Sequence, residues 1–119
     1  MPDFGSMRIL PTVSLTGQTA SIGATNLLAS ATAGLYRVVW YLRASSAGAA
    51  GTCLLTLAWN DGSAQSFTSS TIALSVLGSA LSGTTVLRSA AAQAITYETT
   101  VAGAVGDPQY QLDIRIEPM

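Results

Sequence analysis

Gln109-Tyr-Gln-Leu-Asp-Ile-Arg-Ile-Glu117 is the stretch whose reading decides the fold. Tyr110, Leu112, Ile114 and Ile116 alternate strictly with Gln109, Gln111, Asp113, Arg115 and Glu117. A period of two places one set against a core and the other in water, which is a half-buried β-strand. Pro118 ends it, because proline has no amide to donate to a ladder. Working outward, the same period recurs along the chain. In residues 35–43, Tyr36, Val38, Trp40 and Leu42 form an apolar face, while Leu35, Arg37, Val39, Tyr41 and Arg43 form a face that is only half polar. Cys53, Leu55, Leu57 and Trp59 alternate next and run into Asn60-Asp61-Gly62-Ser63, a hairpin signal, since Asn and Asp tolerate turn geometry and Gly supplies positive φ.

Further strands are expected in one or two pieces over 64–76, at Thr84 to Ser89, and at Ile95 to Val101, with 90–94 as a loop. Ile9, Val13 and Leu15 alternate around Pro11, which suits an edge strand, and Ala20 to Leu28 is another candidate broken by Gly23. No segment sustains a 3.6-residue period, although 74–81 has room for one helical turn. The expectation is an all-β chain: a single antiparallel β-sandwich, jelly-roll-like, of seven to eight short strands. Residues 1–6 precede a second Met at position 7 and read as a flexible or expression-derived tail, leaving 7–119 as the β-sandwich domain.

Composition narrows function. The chain has 119 residues, five Arg, no Lys, no His and one Cys. Without His, the commonest general base and a leading metal ligand are missing. A lone Cys builds neither an internal disulfide nor a thiolate cluster. With 9% charged residues and a net charge of −1, no basic stripe exists to neutralise phosphates, so nucleic acid is not expected as a partner. Residues 9–36 and 62–87 are uncharged but dense in Ser, Thr, Gly and Gln, so neither reads as a membrane span, and the N-terminus lacks the pattern of a signal peptide. No enzyme activity and no cofactor are expected. Ala, Ser, Thr and Gly fill 58 of the 119 positions. So poorly charged a surface points to coverage by partners, and a homo-oligomer, a trimer first, is the expectation.

Each remaining reactive residue has an ordinary structural reading. Asp113 and Glu117 stand four residues apart on one strand face, about 13 Å at ~3.3 Å per residue, with Arg115 between them: a solvated face, too wide for a glycosidase pair. Asp61 and Asp107 read as turn residues, with a shared calcium site on loop carbonyls as the alternative. Cys53 reads as a small buried hydrophobe. Trp40, Trp59, Tyr36, Tyr97 and Tyr110 all fall in core phase. Tyr41 does not, and Arg37, Val39, Tyr41 and Arg43 together form the candidate interaction face, since Tyr and Arg are enriched at protein interfaces. An ordinary exposed strand face remains the competing reading.

The run from Gln18 to Leu27, the segment Ala33-Gly-Leu-Tyr-Arg-Val-Val-Trp-Tyr-Leu42, Leu57-Ala-Trp-Asn-Asp-Gly62, Ala94-Ile-Thr-Tyr97 and the terminal strand together resemble small β-sandwich structural proteins of tailed-bacteriophage and prophage virions. The resemblance covers residue 8 to the end and lies in the order of the pieces. It implies a non-enzymatic virion component displayed on the particle: a capsid decoration (cement) or head-fibre protein that binds the major capsid protein. A receptor- or carbohydrate-binding module of a tail or fibre is the alternative. Glycan binding would leave exposed aromatics flanked by polar acceptors, whereas shell binding would leave a flat, weakly charged patch of small residues.

Overall fold

In the computed structural model, which describes residues 12–119, the chain forms nine β-strands: β1 (Thr12–Gln18), β2 (Ile22–Ala31), β3 (Gly34–Ser46), β4 (Ala50–Asn60), β5 (Ala64–Thr68), β6 (Ile72–Ala73), β7 (Ala80–Ser89), β8 (Gln93–Val105) and β9 (Gln109–Pro118). Two antiparallel sheets face each other, ordered β1-β9-β3-β7 and β2-β8-β4-β5, with the two-residue β6 pairing β4 beside β5. Setting β6 aside, successive strands alternate between sheets except at the β4–β5 hairpin, which stays within one sheet, and the chain wraps as a jelly roll of eight strands. The all-β sandwich expected from sequence is therefore the observed fold. The extra strand is β6, separated from β5 by Ser69-Ser70-Thr71. The readings of residues 1–6, Ile9 and Pro11 lie outside the described residues.

The period-two pattern maps directly onto the core. Tyr36, Val38, Trp40 and Leu42 of β3, Tyr110, Leu112, Ile114 and Ile116 of β9, and Cys53, Leu55 and Leu57 of β4 all point between the sheets and are buried. The Asn60–Ser63 hairpin forms as read, with Asn60 paired to Ala64, Gly62 at φ +117° and its amide donating to the Asn60 side chain at 2.8 Å. Two strands run further than alternation indicated. β7 begins at Ala80, because β3 pairs with it without interruption from Gly34↔Ser89 to Arg43↔Ala80. β8 starts at Gln93, leaving only 90–92 as the connection, with Ala92 at φ +62°. Residues 74–79 fold into turns rather than a helical turn, with the Ser79 amide donating to the Val76 carbonyl.

Two contacts tie the sheets together. The Trp40 ring lies 6.0 Å from that of Phe67 on β5 and fills the space over Gly83 of β7, its cross-strand partner. At the other side, the Ile22 amide donates to Thr99 Oγ1 (2.9 Å), which is 2.6 Å from the Tyr110 hydroxyl, and that hydroxyl donates to the Ala20 carbonyl (2.7 Å). Tyr110 has one proton, so Thr99 donates to it. The chain of bonds joins β9, β8 and the β1–β2 connection through otherwise unmet polar groups.

Candidate functional site

β3 is a central strand of the four-stranded sheet, so its second face meets β9 on one side and β7 on the other. Register sets Arg37 opposite Glu117 and Val86, Val39 opposite Arg115 and Thr84, and Tyr41 opposite Asp113 and Ser82. β1 adds Thr12 beside Arg115 and Ser14 beside Asp113. Apart from Val86 and Ser14, these side chains line a shallow depression of about 640 Å³. Val39 (40% exposed) and Tyr41 (37%) lie in it, and Leu35 (46%) and Val86 (54%) lie on the same face outside it, a concentration of exposed hydrophobics on one face.

Polar groups frame that patch. Arg37 Nη2 pairs with Glu117 Oε1 at 2.9 Å, and Arg37 Nε donates to the same oxygen at 3.1 Å. Ser14 donates to Asp113 Oδ1 at 2.9 Å, and Gln111 donates to Oδ2 at 3.3 Å. Arg115 stands exposed between the two carboxylates, and Arg88 lies opposite Leu35. Of the four residues picked out by sequence, Arg37, Val39 and Tyr41 line the depression. Arg43 is half-buried one step further along β3, beside Ala80 and Gln111. Sequence reasoning missed Val86, Ser82, Thr84, Thr12 and Ser14 as members of this surface. No local signal finds them, since only register brings β7 and β1 alongside.

The opposite face differs in kind. Thr56 of β4 lies between Glu98 of β8 and Thr68 of β5, and Ala58 lies between Thr96 and Ser66. The aromatic flanked by polar acceptors and the weakly charged surface of small residues thus both exist, on opposite sheets.

Asp61, Asp107 and Cys53 lie away from this face. Asp61 sits at the Asn60 end of β4, where it accepts from the Ser63 amide (3.3 Å), while Asp107 follows β8 at the Ala50 end. They are separated by the length of β4, roughly 30 Å at ~3.3 Å per residue, so the shared calcium site considered from sequence does not form. No group of three or more Cys, Asp or Glu side chains gathers in one place among these residues. Cys53 is fully buried and desolvation pushes its thiol up to about 12, the opposite of an activated nucleophile. Trp40, Tyr36, Tyr97 and Tyr110 are buried as read; Trp59 packs on the core from a half-buried position at the end of β4. A scan against protein-family models matches no family, and a search of curated proteins finds no significant relative.

Proposed function

We propose that the protein is a non-enzymatic structural component of a phage virion, a capsid decoration or head-fibre protein that docks on the major capsid protein through the outer face of its four-stranded sheet. The observation that carries this reading is the surface on β3: Leu35, Val39, Tyr41 and Val86 exposed together and framed by Arg37, Arg88, Arg115, Asp113 and Glu117. An apolar centre with Tyr and Arg anchors and a charged rim is the anatomy of a protein interface, and it takes the place of the flat small-residue patch expected from sequence, which lies on the other sheet. Each docked subunit buries a modest patch. Copies arranged around a shell axis raise one another's effective concentration and clamp neighbouring capsomers. A ligand that binds only the assembled shell lowers its free energy by mass action.

The test uses shells stripped of the protein. Added back, it should occupy them and raise the temperature of genome release. Tyr41→Asp should lose occupancy while keeping its fold, whereas Thr56→Asp on the opposite sheet should keep it. Loss with Thr56→Asp alone would move the docking surface to the small-residue face. A second reading, a glycan-binding module of a tail or fibre, is favoured by Tyr41 lying in a depression beside Asp113 and Ser82. Binding to host polysaccharide with indifference to shells would replace the first reading with this one.

A further inference from the structure

Among the described residues, the backbone of β7 is the least protected strand edge. Met119 N–H donates to the Leu35 carbonyl at 2.9 Å, so Leu35 turns its backbone toward β9. Antiparallel pairing alternates residue by residue, so Arg37, Val39 and Tyr41 do the same, and Tyr36, Val38, Trp40 and Leu42 bond to β7. Register assigns those bonds to Leu87, Thr85, Gly83 and Leu81. The N–H and C=O groups of Ser82, Thr84 and Val86 therefore point away from the sheet, and among the described residues β7 pairs only with β3.

The other edges carry the usual defences against strand addition. β1 is seven residues long with a register break between Leu15 and Gln18, β2 has three breaks, and β5 has five residues. β7 has ten residues, paired without a break. Its sequence also suits a copy of itself. In an antiparallel pair centred on Thr84, that residue faces its twin, Ser82 faces Val86, Leu81 faces Leu87, and Arg88 faces Ala80, so no like charges meet. Thr–Thr pairs across strands are favourable, and Val86, 54% exposed in the single chain, gains a neighbour.

We propose that β7 is the self-association element, pairing antiparallel with β7 of a second copy about a twofold axis at Thr84 and joining two four-stranded sheets into one. About six new backbone hydrogen bonds form at Ser82, Thr84 and Val86, by the two-per-pair rule of antiparallel ladders. The proposal keeps the homo-oligomer expected from sequence, puts a twofold pair in place of the trimer, and does not depend on where the protein docks. An isologous contact closes at two copies, and Leu35, Val39 and Tyr41 on β3 lie outside it.

Sedimentation and backbone amide exchange test it on the intact protein. The wild type should sediment as two chains at about 100 µM, with the Ser82, Thr84 and Val86 amides exchanging slowly there and fast after 100-fold dilution. Thr84→Pro removes an N–H that bonds nothing within the subunit, a substitution that edge strands accept, and should sediment as one folded chain. Thr85→Pro, which removes a bond to β3, should unfold. A single-chain wild type, a folded Thr84→Pro variant that still pairs, or a three-chain species would each overturn the proposal. If Thr84→Pro does not fold, exchange that is fast and independent of concentration in the wild type overturns it equally. Shell occupancy by Thr84→Pro is scored separately, so loss of pairing does not count against docking.

Discussion

Gly83 provides the sharpest test of how the core is packed. A Cβ built there would lie 2.8 Å from Trp40 Cζ2, 3.1 Å from Cε2 and 3.4 Å from Nε1. The ring has little room to retreat: Trp40 is 5% exposed, and Phe67 stands against it. Overpacking of this kind costs about 1–3 kcal/mol. Against it stands the loss of unfolded-state freedom on replacing Gly by Ala, which stabilises by about 0.4–1 kcal/mol where the backbone permits, and Gly83 is not among the positive-φ glycines. Gly83→Ala should therefore be destabilised by about 1–2 kcal/mol, a fall in Tm of about 4–8 °C for a domain of this size. Urea unfolding followed by tryptophan fluorescence measures it. With Trp40→Leu the obstruction is gone, and adding Gly83→Ala should become neutral or stabilising; the sign change is the coupling between contacting residues. If Gly83→Ala is as stable as the wild type while Trp40 is present, the ring is not pinned as described and the packing argument fails.

Two further outcomes follow from buried groups. Tyr110→Phe leaves the Ala20 carbonyl and the Thr99 hydroxyl without their shared partner and should cost about 1–3 kcal/mol in chemical denaturation, with little change in the far-ultraviolet circular dichroism. Cys53 should resist thiol reagents at pH 8 until the protein unfolds. Its thiol is raised to about 12 in the folded state, so the unfolded chain binds fewer protons above its own value near 9, and stability should fall as pH rises from about 9 to about 12. Burial also raises Tyr110. Cys53→Ala should flatten part of that fall, and an unchanged pH profile would show that the thiol does not contribute.

Local alternation determined much of this protein from sequence. Strict period two at 109–117 and 35–43 fixed which side chains enter the core, because a pleated strand sends successive residues to opposite sides whatever its neighbours are. The Asn60–Ser63 turn was legible for a similar reason, since its side-chain and glycine chemistry acts within four residues. With no His and a single Cys, the chain holds no His-based triad and no internal disulfide whatever its fold. Tertiary structure decided what alternation does not encode. Ala80–Gly83 holds one large apolar residue, Leu81, and no alternation, yet it is strand, because β3 supplies its hydrogen bonds. Arg37, Val39 and Tyr41 could be read as one face of one strand. That Glu117, Arg115 and Asp113 stand on one side of them, and Val86, Thr84 and Ser82 on the other, follows from pairings between residues up to 80 positions apart. Asp61 and Asp107 were a conceivable pair until the strand between them placed each at its own end of the sandwich. Side-chain direction is local physics; adjacency belongs to the packed sheets.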